Sequence, residues 1–412
     1  MNTDKQNNFV SLGTILPRSY KNGLYKDSSF YGDGTSILRI SDFDNDGNLV
    51  TIDLQKVQLD NSEIENYLLE ENDIVINRVN SLTHLGKAIL WKNLNKINTV
   101  YESNMMRIQS DSSVINPDYL IYILNSKPSR NYFRTVAKRA VAQCSINQQD
   151  IKSLIFFFPP LPEQTKIAQI LTTWDNAIRT TEQLIQNSEQ QKQALMQQLL
   201  TGKKRLFDEN GKRFSGEWEK VRLGDLLNEV KARNQNDAIQ RVLSVTNHSG
   251  FVLPEEQFSK RVASENVSNY KVVKQGQFAY NPSRLNVGSF TRLDKFSDGI
   301  LSPMYVVFAV KSSLNSDFFL YWMQSHEAKQ RIKNSTQGSV RESVGFDALC
   351  SFPLRIPPLL EQQKIAAVLT AADNEIDTLK QTLCRLKTEK QALMQQLLTG
   401  KKRVFVALDE QE

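Results

Sequence analysis

Cysteine is scarce in this chain of 412 residues. Only Cys144, Cys350 and Cys384 are present, with no Cys-x-x-Cys pair, which excludes a disulfide framework and a thiolate zinc site. Histidine is equally rare, and His84, His248 and His326 stand alone with no ligand spacing around them. No apolar run approaches the roughly 20 residues that span a bilayer, and the longest, residues 154–159, is far too short. The opening MNTDKQNNFV has neither the basic region nor the apolar stretch of a secretory signal. These absences lead us to expect a soluble protein of a reducing cytoplasm, with no membrane partner. Hydrophobic residues at 40% and aromatics at 9% supply packed cores and exclude global disorder. The length predicts two to three domains, and the formal charge is +6.

Self-similarity organises the chain. Residues 159–205 and 357–403 align without a gap at an offset of 198, and 29 of the 47 positions are identical. The last twelve, ALMQQLLTGKKR, match completely. Upstream the echo is weaker: Leu12-Gly13 with Leu223-Gly224, Asn77 before Gly86 as Asn281 before Gly288, and Asn125-Ser126 with Gln324-Ser325. Two variable segments of 158 and 151 residues, 1–158 and 206–356, are thus each followed by a helical segment, 159–205 and 357–412.

In the short repeats, Pro-Pro ends extended structure, so helices are expected to begin near Glu163 and Glu361. Apolar residues recur in steps of four and three, with the polar Thr181, Ser188 and Lys192 filling three positions of the first copy. The seam is Ile167, Leu171, Trp174, Ile178, Ile185, Leu195 and Leu199 in that copy. In the second it is Ile365, Leu369, Ile376, Leu379, Leu383, Leu386, Leu393 and Leu397. Such a heptad pattern marks a coiled coil rather than a globular surface helix. Gly202 and Gly400, each followed by Lys-Lys-Arg, suit a helix C-terminus. From residue 163 to 201 the helix spans about 57 Å at 1.5 Å per residue. A return helix pairing along the same seam has to run antiparallel, which places the variable segments at opposite ends under a pseudo-twofold axis.

The variable segments carry short β-branched runs between Gly, Asn and Asp: LRISDFD, NLVTIDLQKVQL, NDIVINRV and GKAILWK in the first, RVLSVTN, QGQFAYNP, VGSFTRL and PMYVVFAV in the second. Helical periodicity follows at 118–124 and 129–138, and at 316–333 with Ser316 as N-cap. Each is therefore expected to be an α+β domain built on a small rolled sheet.

No catalytic constellation emerges. Thr201-Gly202-Lys203-Lys204 resembles the end of a P-loop, but Gln197 stands where the first glycine belongs, and the lysines follow a helix instead of preceding one. Asn281-Pro282-Ser283 departs from the Asn-Pro-Pro-aromatic loop of adenine methyltransferases at its third residue. Asp317 with Glu327-Ala328-Lys329 mimics a nuclease pattern, but it lies along one helix and the first copy has Pro128 in place of Glu327.

Charge points to binding instead. Residues 1–70 hold 6 basic and 11 acidic side chains, whereas 71–158 hold 11 and 6. Lys127, Arg130, Arg134 and Lys138, with Arg139 beside them, are spaced to share a helix face. Two loops, Asn77 to His84 and Asn281 to Asn286, combine Arg with amides, and bidentate Arg–guanine and Asn or Gln–adenine pairs read the major groove. The residues expected at DNA are Arg78, Asn80, Thr83, His84, Lys87, Arg130, Arg134, Lys138, Arg139 and Gln143 in the first domain. In the second they are Arg284, Asn286, Arg292, Lys329, Lys333, Gln337, Ser339 and Arg341. No metal ligand is assigned.

With Pro-Pro-Leu-x-Glu-Gln-x-x-Ile opening a heptad helix twice, and ALMQQLLTGKKR closing it twice, the whole chain resembles the specificity subunit of type I restriction–modification systems. The resemblance implies two target-recognition domains, each for one half of a bipartite duplex site, joined by helical spacers. It further implies two docked methyltransferase subunits and two restriction subunits. S-adenosylmethionine, ATP and Mg2+ then belong to those partners, and this chain is not itself an enzyme. The alternatives are a coiled-coil scaffold with two protein-binding heads, or a free-standing nuclease or methyltransferase.

Overall fold

The computed structural model describes residues 8–92, 97–141, 143–247, 250–253, 267–336 and 343–405. The chain divides into two compact units, Met1–Glu182 with Thr382–Glu412, and Gln183–Gln381. No helix among the described residues is long and apolar enough to cross a membrane.

In the first unit, β1 (Phe9–Ser11) leads into a single helical turn, α1 (Leu12–Ile15). A four-stranded antiparallel sheet follows, in the order β2 (Tyr20–Asn22), β9 (Met105–Ile108), β5 (Ile74–Asn77) and β7 (Ala88–Leu90). Its central strand reads Ile-Val-Ile without alternation because both of its faces are covered. Ile74 and Ile76 enter a core with Leu120, Leu124 and Phe133, while Val75 enters another with Phe43, Trp91 and Tyr101. A second sheet has β3 (Tyr31–Leu38) between β4 (Lys56–Val57) and β8 (Thr99–Tyr101), the last parallel to β3. The expected strands at 38–44 and 48–59 are thus mostly loop. Side-chain-to-backbone turns at Asp44 and Thr51 take over the backbone groups that a ladder would use. A capped helix, α2 (Asn61–Tyr67), follows β4.

Two helices back the main sheet, α3 (Pro117–Asn125) and α4 (Lys127–Val136). Helix α4 stops short of Lys138. That residue instead opens β10 (Lys138–Arg139), which pairs with β11 (Cys144–Ser145), itself paired with β6 (Val79–Asn80). After α5 (Gln148–Lys152), β12 (Ile155–Phe157) closes on β1. Next comes α6 (Leu161–Leu199), 39 residues long. It starts two residues before the expected Glu163, because Pro162 sits within the first turn, where no N–H is needed.

The second unit repeats this plan. Strand β13 (Glu219–Arg222) and α7 (Leu223–Leu226) precede a sheet ordered β14 (Leu227–Glu229), β21 (Val306–Val310), β18 (Phe278–Tyr280) and β19 (Phe290–Arg292). The antiparallel pairs β15–β16 (Ser244–Thr246 with Gly250–Val252) and β17–β20 (Lys271–Lys274 with Asp298–Leu301) flank it. Phe278 and Phe308 stack with centroids 5.4 Å apart and meet Phe319 edge-on. Such pairs add about 0.5–1.5 kcal/mol each beyond their buried area. The single expected helix 316–333 is two, α8 (Ser316–Gln324) and α9 (His326–Thr336), because Ser325 adopts an extended backbone between them. The N-cap is Asn315, not Ser316, with its side chain accepting from the Phe318 N–H at 2.9 Å. Helix α10 (Phe346–Cys350), β22 (Pro353–Ile356), which pairs with β13, and the 39-residue α11 (Leu359–Leu397) complete the unit.

Within each unit α6 and α11 run antiparallel. In the first, Glu163 meets Arg403, Asp175 meets Lys390 and Glu182 meets Lys387. In the second, Arg205 meets Glu361, Lys192 meets Asp373 and Glu189 meets Lys380. Every pair has its counterpart 198 positions on, so the two nearly identical motifs are each other's partners. All the seam residues are buried or half-buried. Gly202 and Gly400 cap the helices at φ 71° and 69°. A Cβ at Gly400 would also lie 2.7 Å from the ring of Phe157.

Candidate nucleic-acid interface

Strand β5 ends at the fully buried Asn77, which hands the chain to a turn at residues 78–86. The Asn77 N–H bonds the Lys87 carbonyl at 2.8 Å, and the Gly86 N–H returns to the Asn77 carbonyl at 2.9 Å. Gly86 has φ 72°, and a Cβ there would lie 2.5 Å from the ring of Phe133 on α4. Glycine is required both for the backbone and for the close approach. The β6–β11 pairing then places Asn80 opposite Cys144, and β10 places Arg139 beside them. The structure therefore gathers Asn80, Thr83, His84, Lys138, Arg139 and Gln143 around one small ribbon and turn. Thr83, His84, Lys138, Arg139 and Gln143 are exposed.

Four residues expected at DNA are held by backbone carbonyls. Lys87 is 5% exposed, and its Nζ donates to the carbonyls of Ile40 at 2.5 Å and Phe43 at 2.6 Å. Burial, then the charge of Arg130, pulls its ammonium below the ordinary lysine range. Arg130 is also buried, and its Nη2 donates to the Thr83 carbonyl at 2.9 Å. Burial, and secondarily Arg134, brings it down to about 10. Arg134 Nε reaches the Leu82 carbonyl at 3.3 Å, and Arg78 Nη1 the Ser103 carbonyl at 3.0 Å. A spacing of four puts Arg130 and Arg134 on one face of α4, but the turn packs over both.

The second unit offers a corresponding place after Asn281. There a 3-10 segment, Pro282–Val287, carries Arg284 and Asn286, both exposed, and Asn281 caps it by accepting from the Ser283 N–H at 3.1 Å. Lys329 and Lys333 on α9 are exposed. Arg292 is taken up in ion pairs with Asp294 at 2.6 Å and Asp317 at 2.7 Å. Burial opposes its charge, but those carboxylates win and hold the guanidinium above its ordinary value. Gln337, Ser339 and Arg341 lie outside the described residues, as does His248. Asn45 was not foreseen. Its Oδ1 lies 3.1 Å from His84 Nδ1 and 3.4 Å from Arg130 Nη2. It is 33 positions from Arg78, the nearest of the expected residues, so no spacing signals it.

Each unit is tied to the long helices by one set of contacts. Gln164 Oε1 accepts from the Asn116 N–H at 2.9 Å, as Gln362 Oε1 does from the Asn315 N–H at 2.7 Å. Tyr122 donates to Asp175 at 2.6 Å and Tyr321 to Asp373 at 2.8 Å. Each of those aspartates also receives a lysine of the opposite helix, Lys390 and Lys192.

A duplicated α+β frame, with a different turn displayed at the same place in each copy and two long helices paired by repeated motifs, describes a two-headed recognition protein. The family model for the type I restriction modification DNA specificity domain matches residues 6–190 and 215–388, and the chain belongs to that family. It is thus a recognition subunit and not a catalyst. A putative type I restriction enzyme MjaX specificity subunit of Methanocaldococcus jannaschii is 29% identical over 362 residues, covering 83% of this chain and 81% of that protein. The EcoKI specificity subunit of Escherichia coli is 30% identical over 166 residues, covering 40% and 34%. The S subunit of a type I system from M. genitalium shares the fold, with TM-score 0.56 and 13% identity over 97% of this chain and 98% of that one. The HsdS subunit of Thermoanaerobacter tengcongensis does so with TM-score 0.51 and 17% identity, over 96% and 97%.

Proposed function

We propose that this chain reads a bipartite duplex DNA site for a type I restriction–modification complex, one half-site per unit. The observation that carries this is the unequal pair of turns, after Asn77 and after Asn281, on equivalent frames. Equivalent frames suit two half-sites, and unequal turns make those half-sites differ. The exposed Lys138, Arg139, Arg284 and Lys329 supply phosphate neutralisation, with partner subunits adding more. The near-identical helical repeats offer two equivalent docking surfaces, one for each of two methyltransferase subunits, and two restriction subunits join through them. S-adenosylmethionine, ATP and Mg2+ act on those partners, in the cytoplasm where the DNA is.

The test is methylated-base sequencing of a host expressing this chain with its methyltransferase subunits. An asymmetric two-part motif with a fixed gap is expected. A single contiguous motif, or methyl transfer by the isolated chain, contradicts the reading.

A further inference from the structure

Behind the turn at residues 81–84 lie three cations, Lys87, Arg130 and Arg134, and none bonds a carboxylate among the described residues. Arg130 is 7% exposed. Its Nη2 engages the Thr83 carbonyl, while its Nε and Nη1 are buried with no hydrogen-bond partner among the described residues. Arg134 engages the next carbonyl back, at Leu82. Asn45 brings a second loop to the same place through Arg130 and His84. The backbone of the turn is thus gripped from the α4 side while Thr83 and His84 stay exposed. A phosphate cannot reach the buried Arg130 nitrogens without displacing the turn.

The second unit does this differently. Lys329 and Lys333 occupy the matching positions on α9 and are exposed. Both turns also close on their own backbone: the His84 and Leu85 N–H groups meet the Ser81 carbonyl at 3.0 Å, and the Gly288 and Ser289 N–H groups meet the Leu285 and Arg284 carbonyls at 3.1 and 3.0 Å.

We infer that Arg130, with Arg134, is a positioning residue for base selection: it fixes the turn through the Leu82 and Thr83 carbonyls and touches neither base nor phosphate. The bases accepted by the first unit then depend on Arg130 at one remove. This rests on the reading that each unit recognises a half-site. A lysine at 130 has one compact ammonium in place of a planar fork, so it restores the grip only in part.

The experiment uses the full chain with its methyltransferase subunits. Binding is measured, at two salt concentrations, to the cognate duplex and to duplexes with single substitutions in either half. For Arg130→Ala we expect discrimination at one half-site to fall about tenfold, with the other half-site, the gap and the salt slope unchanged. Arg130→Lys is expected to lie between. Lys329→Ala, by contrast, is expected to lower the salt slope by about one and keep every base preference. Two results overturn the inference: full discrimination by Arg130→Ala, or equal weakening on all duplexes with a salt slope lower by about one. Should Arg130→Ala not fold, Arg134→Ala replaces it under the same two criteria. If the wild-type complex binds all duplexes alike, the half-site reading itself is overturned, a result distinct from either of these.

Discussion

Glu163, in the first turn of α6, and Arg403, just beyond α11, form a two-pronged ion pair, with Nε on Oε1 at 2.9 Å and Nη2 on Oε2 at 2.7 Å. Glu361 and Arg205 repeat it at 2.6 and 2.7 Å. Glu163 and Glu361 are 6% and 0% exposed. The pairing gives a physical reason for two distant stretches of sequence to stay alike. The glutamate of each Pro-Pro-Leu-x-Glu-Gln needs the arginine of the other copy's Gly-Lys-Lys-Arg. Losing the arginine leaves a buried carboxylate in the same unit.

Removing one partner is therefore expected to be costly. Because Arg403 is 44% exposed and rehydrates, Glu163→Gln is expected to cost about 1–3 kcal/mol, below the loss for a fully enclosed pair. Burial raises the Glu163 carboxyl, but hydrogen bonds from Arg403 and from the Val404 N–H, with the guanidinium charge, hold it below its ordinary value. A depressed carboxylate stabilises the fold above its unfolded pKa of about 4.3 and loses that contribution as pH falls through the folded value. Denaturant melts from roughly pH 3 to 6 are expected to show an acid-side slope that the Gln variant lacks in part.

Asp73 has the opposite sign. Burial pushes its carboxyl up to about 6, against the Glu70 N–H and Arg107. A raised carboxylate favours the folded state while protonated, so stability falls as pH rises from the unfolded value of about 3.9 to the folded one. Asp73→Asn is expected to remove that loss, with a melting temperature at neutral pH equal to or above wild type. A lower melting temperature, with the pH slope retained, would place the cost elsewhere.

Tyr122 and Tyr321 hold their domains to the helices through Asp175 and Asp373. Each phenol is raised well above its ordinary pKa by burial, so it stays a donor throughout the working range. Tyr122→Phe leaves a carboxylate that still has its lysine, so a loss of about 1 kcal/mol is expected, and the same for Tyr321→Phe. Unequal losses in the two melts would break the symmetry argued here.

The helices were legible because a heptad repeated over 39 residues, twice, has no other economical explanation. The specific partners were not, since Glu163 and Arg403 are 240 positions apart. Among the variable segments, β5 and β18 were visible as short apolar runs, but residues 48–59 mimic a strand and are mostly turn. The basic face of α4 was legible as a spacing. That the turn at 81–84 would cover it depends on Gly86 approaching Phe133, a tertiary contact that helical periodicity does not encode. Asn315 was missed as a cap because Asn and Ser stand side by side and both suit that position.

We propose that α6 and α11 set the gap between the two half-sites, and lengthening one helix tests this most directly. Thr181 and Ser188 are two of the polar positions of the α6 seam, so little apolar packing is disturbed between them. Four inserted residues add about 6 Å and form a stutter that a coiled coil absorbs by local unwinding. One residue turns all later seam positions by about 100° and is expected to unpair the helices. Seven add about 10 Å, which is about three base pairs. Methylated-base sequencing of the four-residue variant, expressed with its methyltransferase subunits, is expected to return both original half-sites with the gap longer by about one or two base pairs. An unchanged gap, or altered half-site sequences, would contradict the account.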